Sequence, residues 1–339
     1  MPIQSYDFET LGAIAVPNPS SVVEKAVGTP AVAEAACQVA ASAGGELKSQ
    51  TLLIEKSTFR DDSGACTVAV ARSPVEYTPR TGELHLIGSG PGALDQITPA
   101  AQAALSRCDV IVGYQLYLNL IRPLLDSWHN AQQVTEGTPI TKERYRAERS
   151  ISLARRGLTV GVISSGDCGI YAMAGLVLEC LAQQNWDGHT PQVTTYPGIT
   201  ALQAAAARAG APLMHDFCAI SLSTLLTPWT VIQKRIQAAA SADFVVALYN
   251  PKSKTRVDQI TYAFDQFRQW RSPDTPVIVA RSLYRPDETI TTTTVNDIDL
   301  DTVDMLTVVI IGNQSTFNHQ GVTITPRGYL SPTLPESDK

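Results

Sequence analysis

From Glu83 onward, short β-branched runs alternate with stretches of helical period, and no other feature constrains the fold of this chain as strongly. "LHLIG", "DVIVGY", "TVGVISS" and "QVTTYPG" read as strands. "TPAAQAALSRC", "YLNLIRPLLDSW", "KERYRAERSISLARRG", "GIYAMAGLVLECLAQQ" and "TALQAAAARAG" read as helices. Parallel strands need a long crossover, and a helix supplies it, so this succession predicts βαβ units on a mostly parallel sheet. A second set follows near Ala211: strand "FCAISLS", helix "PWTVIQKRIQAAASA", strand "FVVALYN", helix "RVDQITYAFDQFRQW", strand "PVIVARSL", then "TITTTTV" and "MLTVVIIGNQ". A chain of 339 residues divides comfortably into more than one core. The expected fold class is α/β: two α/β domains, 83–210 and 211–330, with a cleft between them and a tail at 331–339.

Residues 1–72 form a smaller, partial α/β segment in this reading. "AIAVP" is strand-like, "SVVEKAVGTPAVAEAACQVAASAGG" has helical period, and "TLLIEKSTF" and "CTVAVARS" read as a strand pair across "RDDSGA". The prolines and glycine of "SPVEYTPRTG" mark a linker at 73–82.

Composition excludes several classes of partner. A net charge of -6 leaves no basic footprint for nucleic acid. No apolar run is long enough for a bilayer, so no membrane is expected, and "MPIQSYDFET" carries no secretory signal. The six cysteines (Cys37, Cys66, Cys108, Cys168, Cys180, Cys218) include no C-x-x-C pair, and the five histidines are dispersed. Reduced cytoplasmic thiols and no metal site are the expectation.

Gly88, Gly90 and Ala93 satisfy the dinucleotide pattern G-x-G-x-x-[G/A], a weak signal alone. That fingerprint opens its helix inside the glycine turn and wants an acid after the next strand. Here the helix signal comes later, with Thr98 as N-cap and Pro99 at the first helical position. The next strand ends in Gly-Tyr-Gln, and there is no G-x-x-x-x-G-K-[ST]. Strand-end loops face the ligand crevice of an α/β sheet. Five of them are rich in Gly, Pro, Ser, Thr or Tyr: "GSGPG" (88–92), "SSGDCGIY" (164–171), "TYPGIT" (195–200), "ALYNPKSK" (247–254) and "ARSLYRPDET" (280–289).

"GSGPG…T", "SSGDCGIYAMAG", "YPGITAL", "GAPLMHDF", "LLTPW", "LYNPKSK" and "IIGNQST" occur in that order and resemble the tetrapyrrole methylases, which use S-adenosylmethionine in vitamin B12 synthesis. "GIYAMAGLVLE", "APLMHDFCAISLSTLLTPW" and "ALYNPKSKTR" are similar to the members that methylate C17 of precorrin-3B or its cobalt-containing counterpart. The resemblance covers about 83–330. It implies two domains of the tetrapyrrole methylase type, a cleft holding cofactor and corrin precursor, S-adenosylhomocysteine as by-product, and usually a homodimer. Carried over by position, it implies cofactor contacts at Pro91, Ser165, Gly166, Asp167, Ile170, Thr200, Ala201 and Asn250, with Tyr249 adjacent. Where the family usually has Gly-Asp-Pro, this chain has Gly166-Asp167-Cys168, which is expected to loosen the turn. "VPNPSSVVEKAVGTPAVAEAA" and "CTVAVARSP" resemble the later part of the C-terminal domain of cobalt-precorrin-5A hydrolase, without implying hydrolase activity.

Methyl transfer from a sulfonium gains most from holding donor and acceptor carbon in near-attack geometry. The accompanying ring contraction needs a proton moved, so general acid–base candidates matter. His215 and Asp216 in "PLMHDF" are the first, the alternative for His215 being a hydrogen bond to the inter-domain connection. Asp95 and Thr98 are the second, Thr98 reading also as a helix cap. A substrate rich in carboxylates wants arginine and lysine, which points to Lys252, Arg281 and Arg285, with Gly90 and Gly92 allowing close approach. Tyr114 and Tyr117 could lie against a flat macrocycle, whereas the basic run 142–150 reads as a solvated helix face. Three rivals stand beside this reading: methylation at another ring position, a nicotinamide-dependent oxidoreductase, and a non-catalytic tetrapyrrole carrier. Whether the substrate carries cobalt stays open.

Overall fold

A computed structural model of the chain describes residues 6–42, 52–62, 64–72, 81–128, 130 and 132–330. Most of the 73–82 connection and the 331–339 tail lie outside the described residues.

The N-terminal segment holds helices α1 (Phe8–Gly12), α2 (Ser21–Val27) and α3 (Ala33–Ser42), then the antiparallel hairpin β1 (Leu52–Asp61) and β2 (Gly64–Ala71). "AIAVP" is not a strand. It turns out of α1, and Leu11 and Ile14 pack beside Ala35 of α3. The long helical stretch is broken in two, because Gly28 takes a left-handed conformation after α2. Glu34 of α3 ties the pieces together, accepting hydrogen bonds from Asn18 and from the Lys56 backbone of β1. Burial pushes its carboxyl up, but those donors outweigh burial and hold it below the ordinary range.

The first large domain runs β3 (Glu83–Gly88), α4 (Pro99–Arg107), β4 (Val110–Tyr114), α5 (Gln115–Ser127), β5 (Val134–Thr138), α6 (Glu143–Ala154), β6 (Thr159–Ser164), α7 (Met173–Gln183), β7 (Gln192–Tyr196) and α8 (Ala201–Ala209). Its sheet has the order β5-β4-β6-β3-β7 and is parallel throughout. Thr98 caps α4 by accepting from the Ala101 amide, with Pro99 in the first turn. Every residue of β6 is buried, as expected of a central strand covered by helices on both faces. β5, "VTEGT", escapes the sequence reading. It is an edge strand with a single neighbour and needs no continuous apolar run. The basic run on α6 is not simply a solvated face. Arg146 is buried and donates to Thr138 Oγ1 and Pro139 O, and Arg149 pairs with Glu136 of β5 at 2.7 Å.

The second domain comprises β8 (Gly210–Ala211), β9 (Phe217–Ser221), α9 (Trp229–Ser241), β10 (Val245–Tyr249), α10 (Asp258–Phe267), β11 (Pro276–Arg281), β12 (Thr289–Thr294), β13 (Thr307–Ile311), β14 (Phe317–His319) and β15 (Val322–Ile324). Its main sheet, β12-β11-β13-β10-β9, is mixed: β9 and β10 are parallel, and the other pairs antiparallel. A small sheet, β14-β15-β8, lies beside it. Helix α8 follows the last strand of the first sheet, yet its buried residues Leu202, Ala204, Ala205, Ala206 and Ala209 share a core with Val245, Ala247, Ile278 and Ile310 of the second sheet. This helix therefore follows the first sheet in the chain but packs on the second.

Candidate functional site

The site begins with a topological accident of the parallel sheet. β3 and β6 are neighbours, but the connections that follow them cross to opposite faces of the sheet, β3 to β4 through α4 and β6 to β7 through α7. Loops that part to opposite faces open a crevice at the carboxyl ends of such a pair. The loops that enter it are held by reciprocal backbone bonds, Gly90 N to Gly166 O at 3.1 Å and Gly166 N to Gly90 O at 2.7 Å. Both glycines have positive φ, 71° and 69°. Gly88 and Gly198 pack into the same knot. A Cβ on Gly88 would stand 2.7 Å from Gly166 O and from Gly198 N, and one on Gly198 would collide with Gly166 O. Asp167 braces the knot, its carboxylate accepting from Gly169 N at 2.7 Å and Gly198 N at 3.0 Å. Cys168, in place of proline, does not leave the turn loose. Its buried thiol lies within 3.3 Å of Leu86 O and 3.4 Å of Tyr196 O, between β3 and β7. Burial pushes that thiol up to about 11.

The second sheet supplies the opposite wall. Pro91, Ser165, Gly166, Ile170, Thr200 and Ala201 face Tyr249, Asn250, Ser282, Leu283, Arg285 and Met305–Val308 across a cleft of about 190 Å³. One water in the liquid occupies about 30 Å³, so this is an opening rather than a packing defect. Tyr249 joins the walls: its hydroxyl lies 2.6 Å from Thr200 Oγ1 and accepts from Leu202 N at 2.9 Å, satisfying a free amide in the first turn of α8. Burial raises the Tyr249 phenol above its ordinary range, against the opposing effect of these two bonds. Tyr171 spans the cleft on another side, donating to Ala219 O at 3.0 Å while its ring leans on Tyr249. Asn250 Nδ2 donates to Ser221 Oγ. Four non-glycine residues around this cleft, Tyr171, Asn250, Ser282 and Tyr284, have φ between 49° and 58°. Each such residue costs of order 1–3 kcal/mol, and such strain gathers where a ligand needs the backbone in a fixed shape.

Eight of the nine residues expected to touch a cofactor line this one cleft; Asp167 stands behind it as the brace. Tyr117 lines it too, whereas Tyr114 packs edge-on against Tyr117 outside it. Gly90 serves the knot, and Gly92 lets the Arg285 stem pass, since a Cβ there would lie 2.7 Å from Arg285 Cγ. The three expected cations part company. Lys252 is committed to Leu300 O and Asp301, and Arg281 to Asp304 and Asp287. Arg285 lines the cleft, and its buried Nε has no hydrogen-bond partner. Its charge opposes the upward push of burial on the Tyr117 phenol.

His215 and Asp216 precede the first residue of β9, at the end of the sheet remote from Ser221 and Tyr249. His215 Nδ1 accepts from the Asp216 amide, and both side chains are well exposed. Within one chain the fold does not bring them to the cleft. Asp95, on a 3₁₀ turn, lines an adjoining opening that shares Arg285 as a wall and includes Arg208, Tyr284 and Glu288. Met305–Val308 were missed by the sequence reading for a geometric reason. β13 is antiparallel to β10, so its amino end reaches the edge where the other strands end.

One parallel and one mixed α/β domain, sharing a cleft of polar groups, one arginine and strained backbone, define the class of two-domain α/β proteins with a small-molecule cleft. Residues 83–299 match the family model of the tetrapyrrole (corrin/porphyrin) methylases, and the chain belongs to that family. Residues 1–71 match the C-terminus of cobalamin synthesis protein G. The chain is 47% identical over 249 residues to the cobalt-factor III methyltransferase of Priestia megaterium, covering 73% of this chain but only 45% of that protein. It is 46% identical over 246 residues to the probable cobalt-factor III C(17)-methyltransferase of Salmonella typhimurium, covering 73% of this chain and 99% of that one. A precorrin-3B C(17)-methyltransferase of Sinorhizobium is 40% identical over 236 residues, 70% of this chain and 91% of that one. The crystal structure of the methyltransferase CobJ superposes with a TM-score of 0.67 at 38% identity, over 72% of this chain and all of that one.

Proposed function

We propose that this chain methylates C17 of a corrin precursor, precorrin-3B or cobalt-factor III, with contraction of the macrocycle, in cobalamin synthesis. The observation that carries the reading is the single cleft that gathers Pro91, Ser165, Gly166, Ile170, Thr200, Ala201, Tyr249 and Asn250 from loops of both sheets. The names of the relatives support the position methylated and leave both substrates in play.

The residues present fit S-adenosylmethionine. The cleft offers the Thr200 and Tyr249 hydroxyls and the Asn250 amide, while Gly166 and Ala201 leave room for a ligand. The amino end of α8 opens at Thr200, where backbone amides favour a carboxylate. Ser165, Gly166, Thr200 and Ala201 would hold the methionine end, and Pro91, Ile170 and Asn250 the remainder. Bound there, the cofactor supplies an electrophilic methyl group. The protein's contribution is position: the glycine knot and the Tyr249 hydroxyl fix the two walls in advance, so little reorganisation accompanies reaction. Arg285, with an unsatisfied donor, takes a substrate carboxylate. Of the four proton-transfer candidates, His215 and Asp216 stand at the far end of the sheet and Thr98 caps α4, whereas Asp95 lines the opening that adjoins the cleft across Arg285. The late start of α4 at Pro99 gives the glycine turn no helix on which to seat a pyrophosphate, which disfavours the nicotinamide reading. In this proposal 83–210 and 211–330 are the catalytic pair, 73–82 the linker and 1–72 a partial segment without hydrolase activity, and two copies form a cytoplasmic homodimer.

The test is calorimetric titration with S-adenosylhomocysteine, then turnover with precorrin-3B and with cobalt-factor III. Saturable binding and a methylated, ring-contracted product are expected. No binding, or thermal protection by NAD alone, would overturn the reading.

A further inference from the structure

Two neighbouring leucines, Leu225 and Leu226, are 84% and 91% exposed, an unusual cost for adjacent large apolar side chains. They sit at the crest of the loop between β9 and α9. The loop is pegged at both ends: Leu222 is fully buried, and Trp229 packs against the core of the second domain. It is also wired to the cleft. Leu222 N donates to Tyr249 O, Asn250 Nδ2 to Ser221 Oγ, Ser223 N to that same Ser221 Oγ, and Leu225 N to Ser223 Oγ at 3.5 Å. The two leucines are thus carried on a short hydrogen-bonded relay that starts at two cleft residues. Ile170, Tyr171, Met305 and Leu306, all between 40% and 52% exposed, add apolar surface to the cleft itself. Arg285 supplies the positive charge inside.

This distribution suits a ligand with broad apolar faces and an anionic edge. Resting on the function proposed above, we propose that the Leu222–Pro228 loop forms part of the tetrapyrrole site, Leu225 and Leu226 lying against one face of the macrocycle while Arg285 takes a carboxylate at its edge. The leucines stay in water without the macrocycle and are covered when it binds. The favourable term of about 25 cal/mol per Å² buried is therefore gained at binding and not at folding. The continuity of the loop with Tyr249 and Asn250 favours this occupant over a second copy of the chain.

The test is the double variant Leu225→Ser/Leu226→Ser, beside Leu225→Met/Leu226→Met. Both keep the fold, because neither side chain is packed. Cobalt-factor III is titrated by its absorbance in the presence of S-adenosylhomocysteine, S-adenosylhomocysteine alone by calorimetry, and the sedimentation coefficient is measured. The serine variant is expected to bind cobalt-factor III at least tenfold more weakly, with S-adenosylhomocysteine affinity and sedimentation unchanged, and the methionine variant to stay within about threefold of the parent. Unchanged cobalt-factor III affinity in a serine variant whose parent binds it would overturn the leucine contact alone. A lower sedimentation coefficient would assign the leucines to a contact between copies and overturn it too. An equal loss of S-adenosylhomocysteine would assign the loop to the cofactor. A parent chain that binds S-adenosylhomocysteine but no cobalt-factor III would overturn the substrate reading and this inference with it.

Discussion

Asp167→Ala tests whether this carboxylate braces the cleft or touches the ligand. It accepts from two backbone amides, Gly169 N at 2.7 Å and Gly198 N at 3.0 Å. A hydrogen bond to a charged group contributes about 1.5–3 kcal/mol. Asp167 is half-buried, so water replaces part of the loss, and the low end of that range applies. Two bonds then give a loss of about 3 kcal/mol in unfolding free energy. The damage is not only energetic. The Gly198 amide is what the carboxylate holds, and Gly198 sits against Gly88 and Gly166 with no room to spare. Releasing it lets the 195–200 loop drift from the 164–171 loop, so S-adenosylhomocysteine should bind at least tenfold more weakly. Asp167→Asn should do no better, because its NH₂ group would face one of the two amide donors. Urea unfolding followed by circular dichroism gives the first quantity and calorimetry the second. A variant of full stability that has lost its ligand would mean direct contact and refute the brace. A variant unchanged in both would refute any role for the carboxylate.

Tyr171→Phe removes the hydrogen bond to Ala219 O and is expected to cost about 1 kcal/mol and to speed S-adenosylhomocysteine release severalfold; equal release rates by stopped flow would count against its spanning role. Arg285→Gln should raise KM for the tetrapyrrole about tenfold or more while leaving S-adenosylhomocysteine affinity within twofold, and steady-state kinetics with calorimetry read the split. Among the free thiols, exposed Cys66 should react first with a disulfide reagent on the folded protein, while buried Cys168 and Cys108, pushed up by burial to about 11 and about 12, stay silent until unfolding. The same burial makes stability depend on pH. The Cys168 contribution is complete below pH 9, where the unfolded thiol is still protonated, and is lost as pH rises toward 11. A urea midpoint flat from pH 8.5 to 10.5 would refute it.

How much of this was legible in the sequence follows from what each residue depends on. The strands and helices of the two large domains announce themselves through local period, and the cap at Thr98 through local chemistry. The strand-end loops could be found because parallel strands all end at one edge. That rule fails for Met305–Val308, since β13 runs the other way. The edge strand β5 fails because partial burial writes a weak pattern. Charge is the least legible of all. Nothing local distinguishes Arg285 from Arg281 and Lys252, whose carboxylate partners are 6 to 49 residues away in the chain. His215 looked apt by chemistry alone, and only the direction of β9 shows that it stands at the far end.

Helix α8 also decides where the molecule can bend. It follows the last loop of one sheet, begins at the cleft with Thr200, and is buried to Ala209 in the core of the other sheet. A swing between the sheets would leave that core whole and bend the chain at 197–200, just before the helix. Gly198 is wedged there between Gly88 and Gly166. The Tyr171 bond to Ala219 O, which runs from the 164–171 loop to the second sheet, would have to break as the sheets part. The joint of the molecule is thus a packed glycine, and the knot that shapes the cleft is also what resists its opening.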